Sequence, residues 1–215
     1  MRIKKIIATI CSAAILCTGT VFAAPETEII EDGAIELFAA QIFDGGTGTE
    51  TDPYLISKEE QLMLVADLPS ASFKLTSNIE LANDWNYIGK DGDNFSGVFD
   101  GDGYCISGLT EQFFYENKGT VKNTGFKTIK EGISSSAVVA YDNKGTIESC
   151  YAEGKVNGYR YVEGFIYTNN GTIENCYFKG NVNSINGNAG GFVGYNDKTI
   201  KNCYCVATVN AYYSK

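Results

Sequence analysis

Histidine is absent from the 215 residues. That excludes a Ser-His-Asp triad, a Cys-His pair and the H-E-x-x-H zinc motif from this chain. Zinc held by cysteine alone has little to rest on, because no C-x-x-C spacing occurs. Positive charge is scarce too: 17 Lys and Arg stand against 26 Asp and Glu, a net charge of −9. Such a chain repels nucleic-acid phosphates and anionic membranes. After the apolar run Ile6–Leu16 no second long apolar stretch follows, so no membrane insertion and a soluble mature chain are expected.

One sentence is present several times over. It reads GTIESCYAEGKV at Gly145–Val156, GTIENCYFKGNV at Gly171–Val182 and KTIKNCYCVATV at Lys198–Val209, with an eroded copy at Gly119–Ile129. Each copy has a matching upstream half: QFFYENKG, VVAYDNKG, FIYTNNG and FVGYNDK. Such a fixed period marks a stacked repeat array. Within one copy, Phe165 and Tyr167 alternate with Ile166 at strand period. Asn169, Asn170 and Gly171 form a turn cluster in which Gly is free to take positive φ. The face parity resets near Asn175. One repeat is therefore three or four very short strands joined by bends, with no room for a helix of about ten residues. Pairing equivalent strands of consecutive copies in parallel buries every inward residue and satisfies the backbone. The expected fold is all-β, a parallel β-helix.

Stacking makes claims about columns of side chains. Like residues should lie about 4.8 Å apart from copy to copy. Cys150, Cys176 and Cys203 then form one interior column, Ala152, Phe178 and Cys205 a second, and Val121, Ile147, Ile173 and Ile200 a third. Asn123, Ser149, Asn175 and Asn202 fall at a corner where amides can bond to their counterparts. Tyr151, Tyr177 and Tyr204 fall outside and should stack.

The GGFVGYN…KTIKNCY pattern at Gly190–Tyr204 resembles the GLUG repeat of bacterial surface proteins, found in the non-catalytic part of some immunoglobulin A proteases. GTGTETDPYLIS, FKLTSNIEL and FSGVFDGDGYCISGL, at Gly46–Ser57, Phe73–Leu81 and Phe95–Leu109, resemble the segment that often precedes such repeats. The resemblance implies a right-handed parallel β-helix on an extracellular protein. It brings no catalytic residue.

In chain order, residues 1–23 read as a secretory signal peptide, with Arg2, Lys4 and Lys5 before the apolar run and Val21-Phe22-Ala23 as the cleavage site. Residues 24–52 read as an acidic linker. Residues 53–215 form the β-helix domain, lead-in coils at 53–109 and GLUG-like repeats at 110–215, about six or seven coils in all. A capping box at Ser57-Lys58-Glu59-Glu60 starts a short helix over Lys58–Asp67, the expected N-terminal cap of the solenoid. The last copy runs straight into Ala211–Lys215. A frayed last coil, self-association through the C-terminal solenoid edge, and a fragment of a longer protein are the three readings, and the unpaired edge favours the latter two.

Five cysteines survive cleavage of the leader: Cys105, Cys150, Cys176, Cys203 and Cys205. An odd number at equivalent repeat positions reads as thiols packed like small apolar residues, titrating only after denaturation. Asp91, Asp93, Asp100 and Asp102 cluster near the first coils. They could serve a β-helix lyase or hydrolase, or a Ca²⁺ ion, yet Asp-Gly pairs are ordinary turn chemistry. The outer row Tyr151, Tyr177 and Tyr204, extended by Tyr159, Arg160 and Tyr161, is the ligand-binding candidate. No metal, cofactor or catalytic residue is expected. The reading is a secreted or cell-surface, adhesin-like, non-catalytic structural module whose partner is a host or cell-wall glycan or protein. The alternative is a carbohydrate-binding or carbohydrate-active β-helix using carboxylates on one face.

Overall fold

The computed structural model describes residues 42–90, 92–129, 133 and 136–212. Residues 1–23, expected to be a signal peptide, and most of the expected acidic linker lie outside the described residues, as does Asp91. The chain winds as an all-β parallel solenoid with three faces. The first face stacks seven strands: β1 (Tyr54–Ile56), β2 (Ser72–Leu75), β4 (Val98–Asp100), β7 (Thr120–Lys122), β10 (Thr146–Glu148), β14 (Thr172–Glu174) and β18 (Thr199–Lys201). The second stacks six: β3 (Ile79–Glu80), β5 (Cys105–Leu109), β8 (Gly125–Thr128), β11 (Tyr151–Gly158), β15 (Tyr177–Ser184) and β19 (Tyr204–Ala211). The third stacks four: β6 (Phe114–Asn117), β9 (Ala140–Asn143), β13 (Ile166–Asn169) and β17 (Val193–Asn196). Parallel bridges from Ile88 to Phe114 and from Phe95 to Asn117 continue the third face one level lower. About five turns thus wind through all three faces, fewer than the six or seven expected. Counted from the first face, β1 stands alone below β2, and the last described coil has strands on only the first two faces, β18 and β19. A short pair, β12 (Val162–Glu163) with β16 (Ala189–Gly190), fills one corner.

The repeat copies lie in register. Ile147 pairs with Val121 and Ile173, and Ile173 with Ile200. Ala152 pairs with Phe178, which pairs with Cys205. Cys150 and Cys176 are buried in consecutive turns, where the Cys150 N–H lies 3.4 Å from Cys176 Sγ. Phe73, Phe95, Phe99, Phe113, Phe126 and Phe178 fill the interior, and burying each is worth about 1.5–3 kcal/mol.

Two local expectations change. The left-handed positions are not the glycines of the turn cluster but Asn123, Ser149, Asn175 and Asn202, at φ 51°, 53°, 55° and 52°. They reset the face parity by turning the backbone, a role open to a short polar side chain. Gly171 is required for a different reason: a Cβ there would sit 2.2 Å from the carbonyl oxygen of Gly145, one turn below. The buried amide column is also not at that corner. It runs through Asn117, Asn143 and Asn169 and ends at the exposed Asn196, with Nδ2-to-Oδ1 distances of 2.8, 2.8 and 2.7 Å. At the expected corner, Asn202 Nδ2 donates to Asn175 Oδ1 at 3.2 Å, on the surface.

The N-terminal end is covered. The helix is shorter than the sequence suggests: α1 (Glu59–Leu62), continued by a 3-10 turn, Met63–Asp67. Its cap is made by Gln61, whose Oε1 accepts from the backbone N–H groups of Ser57 and Lys58 at 2.8 and 3.1 Å, while the Ser57 hydroxyl bonds to Asp44 instead. Residues 42–48 lie along the outer edge of β1. Asp44 N–H donates to Leu55 O, Leu55 N–H donates to Gly45 O, and Phe43 stacks on Tyr54.

Candidate functional site

The outward residues of the repeats form two tyrosine ladders. On the second face Tyr151, Tyr177 and Tyr204 stack with centroids 5.2 and 5.0 Å apart and planes within 7° and 11°. The ring faces are thus occupied by each other, leaving hydroxyls and ring edges for a ligand. Below Tyr151 the column has no aromatic. Gly125 leaves room for the Tyr151 ring, which a Cβ at Gly125 would meet at 2.4 Å. Lys127 reaches over that ring at 5.9 Å and pairs with Glu153 at 3.2 Å. Burial, then a hydrogen bond with Cys105, pushes the Tyr151 hydroxyl above its ordinary range. Burial, then the nearby Glu153, raises Tyr177. Both remain hydrogen-bond donors at neutral pH.

The second ladder is longer and lies on the third face: Tyr87, Tyr115, Tyr141, Tyr167 and Tyr195, with successive centroids 6.0, 5.3, 4.6 and 5.6 Å apart. Its signal is present in the aligned upstream halves, where a Tyr stands two residues before Asn117, Asn143 and Asn169. Tyr195 directly precedes Asn196, sits opposite Thr168 and meets Tyr167 edge-on. Tyr161 meets Tyr167 edge-on at 6.4 Å, so it extends this ladder rather than the first. Arg160 lies over Tyr159 at 5.6 Å, and Asn186 Nδ2 donates to the Tyr159 hydroxyl at 2.7 Å.

The acidic residues near the first coils are not gathered into one site. Asp100 Oδ1 accepts from the Asp102 N–H at 2.9 Å and from Asn123 Nδ2 at 3.1 Å, and its other oxygen pairs with Lys122 at 3.4 Å. Burial opposes ionisation of Asp100, but these bonds together outweigh it and lower its pKa. Asp102 pairs with Lys74 at 3.1 Å. Both carboxylates act as clamps between turns. Among the described residues no group of three metal-ligating side chains occurs.

Asp93 lines a depression of about 250 Å³ beside the cap, with Met63, Trp85, Tyr87 and Lys90. An adjoining hollow of about 310 Å³ adds Asp84, Thr110 and Glu111. Trp85 is fixed from behind, stacked on Phe113 at 4.8 Å with its Nε1–H donating to Phe113 O at 3.3 Å. Lys90 Nζ sits 5.7 Å above the Tyr87 ring and donates to Asn86 at 3.1 Å. Burial raises the Glu111 pKa, with Lys90 pulling it back. The arrangement can hold a hydroxyl-bearing ligand through the carboxyls of Asp84, Asp93 and Glu111, the Lys90 ammonium and an aromatic wall.

Glu163 is the second carboxyl with a raised pKa, pushed up to about 8 by burial. It is 3 % exposed and its Oε2 has no hydrogen-bond partner. Gly194 makes room for it, since a Cβ there would lie 2.6 Å from Oε1. Glu163 packs in a later coil than Glu111 and lines neither hollow. The two raised carboxyls therefore do not form a pair.

No protein-family model matches the sequence, and no curated protein matches it. A solved crystal structure from Bacteroides ovatus, provisionally described as an immunoglobulin A1 protease, superposes with a TM-score of 0.60 at 20 % identity. The superposition covers 79 % of this chain and 70 % of that one. At that identity the likeness establishes the fold.

Proposed function

We propose that this chain is a secreted or cell-surface solenoid of the GLUG-repeat kind, acting as a non-catalytic structural and adhesive module. The observation that carries the reading is the pair of tyrosine ladders, set in register along two faces of one continuous winding. A rod built this way presents a hydroxyl and a ring edge at several successive turns, which suits a repetitive partner such as a glycan or a surface protein. The resemblance to GLUG repeats, which occur in the non-catalytic part of some immunoglobulin A proteases, fits a scaffold role. With no histidine of its own, this chain has no base for a Ser-His or Cys-His mechanism.

The test is binding to glycan and surface-protein arrays by the wild type, by a Tyr151/Tyr177/Tyr204→Ala variant and by a Tyr115/Tyr141/Tyr195→Ala variant. Loss of signal in either variant, with the melting temperature checked in parallel, supports adhesion through that ladder. Unchanged binding by both removes the ladders from consideration. A second reading, carbohydrate binding or turnover at the Trp85 hollow, is favoured by the raised Glu111 carboxyl beside Lys90. Release of reducing sugar by the wild type and not by Glu111→Gln would establish that reading over the first.

A further inference from the structure

The two ends of the solenoid are unlike. The outer edge of β1 is paired by residues 42–48. At the other end, β17, β18 and β19 form the last turn among the described residues, and no further strand is paired to them. Residues that are interior in the turns below are open there: Val209 is 41 % exposed where its partner Val182 is fully buried, and Ile200 is 38 % exposed where Ile173 is fully buried. β19 is eight residues long, an uncovered edge of the kind that takes up another strand.

Charge singles out the same end. From Ile185 to Tyr212 the sequence has one acid, Asp197, beside Lys198 and Lys201, in a chain of net charge −9. Two copies that would repel elsewhere are not kept apart here.

We propose that a second copy of this chain covers the C-terminal turn, the two solenoids meeting end to end about a two-fold axis through β19. Head-to-tail stacking is barred by the covered N-terminal end, so the contact closes at a dimer and cannot propagate into a fibre. A two-fold axis through the middle of β19 pairs it antiparallel with its own copy and sets β17, of four residues, against β18, of three, in the second copy. Keeping interior residues on the interior side places Ala207 opposite Ala207, with Cys205 opposite Val209.

Sedimentation velocity on the intact protein over a wide concentration range tests this. The expected mass is twice that of the chain, and Val209→Lys and Ile200→Lys should each return it to a monomer with unchanged Trp85 fluorescence at the far end. Cys205 should resist maleimide in the dimer and react in Val209→Lys. Ala207→Cys, with Cys203 and Cys205 changed to Ala, should give a covalent dimer on mild oxidation. A monomer at every concentration, or a dimer that survives both lysine substitutions, overturns the proposal.

Discussion

The side-chain amide of Asn143 donates to Asn169 Oδ1 at 2.8 Å, one turn on, and neither residue has any solvent exposure. The same NH₂ group also approaches the carbonyl oxygens of Gly145 at 3.4 Å and Thr172 at 3.3 Å. One amide thus satisfies bend carbonyls that would otherwise be buried without partners.

Replacing Asn143 by Asp removes the donor and sets a carboxylate among carbonyl oxygens. We expect a loss of about 3 kcal/mol in urea unfolding. The same change at Asn196 gives up a bond to Lys198 O at 2.9 Å that water can replace on the exposed final turn of the monomer. Its Oδ1 still accepts from Asn169, so in the Val209→Lys monomer the change should cost no more than about 0.5 kcal/mol. Equal losses at the two positions would show that the interior amides are not the anchor of the bend.

Asn175 tests the other corner. Its φ of 55° is comfortable for Asn or Gly and strained for a β-branched residue, and its side chain is exposed. Asn175→Val should destabilise by about 1–2 kcal/mol, whereas Asn175→Gly should stay within about 0.5 kcal/mol of wild type. Ser149 occupies the equivalent place at φ 53°, so Ser149→Asn should raise the melting temperature. A fall in that temperature would mean that the hydroxyl, rather than the backbone angle, matters there.

The repeat made the winding legible because like residues in a parallel stack must lie over one another. Column identities such as Ile147–Ile173–Ile200 follow from the alignment alone. What escaped was which polar residue serves which bend. Asn143 and Asn175 are the same residue type, each beside a turn, and only the path of the backbone decides that one amide points inward and the other out. The second tyrosine ladder was visible in the upstream halves, yet Tyr115 and Tyr141 became neighbours only once the third face was closed. Glu163 gave no sequence signal at all. Its burial depends on the small residues Gly190 and Gly194 of the following turn, a relationship no single copy contains.

The interior thiols give a third expectation. Cys176 Sγ lies 3.1 Å from Glu174 O and 3.6 Å from Ile147 O, so a hydroxyl in its place would find an acceptor. The hydrogen bond to Cys150, together with burial, pushes this thiol well above its ordinary range. Cys176→Ser should therefore cost only about 1 kcal/mol, close to Cys176→Ala, rather than the larger loss an unpaired hydroxyl would bring. The expectation that all five thiols are shielded fails at Cys205, which the open last turn leaves exposed. Thiol titration should therefore find Cys150 and Cys176 only after unfolding and Cys205 in the folded monomer. Prompt labelling of all five thiols in the folded protein would contradict the burial of that column.

Glu163 sets the pH dependence. Its ordinary value near 4.5 is raised to about 8 because its carboxyl is buried with no charge partner. Between those two values the folded chain holds a proton that the unfolded chain has released. The native state therefore binds more protons, and stability falls as pH rises through that window, by up to about 1.4 kcal/mol per pH unit. Above pH 8 both states are ionised and this contribution levels off. Tyr167, raised to about 12 chiefly by burial, titrates outside the window. Glu163→Gln keeps the shape and removes the proton, so its stability profile between pH 5 and pH 8 should be flatter than that of the wild type, with the difference largest at the alkaline end. Because the amide brings a cost of its own, the slopes and not the absolute values decide. Parallel profiles for the two proteins would mean that Glu163 reaches water, and that the glycines above it do not seal the final turns.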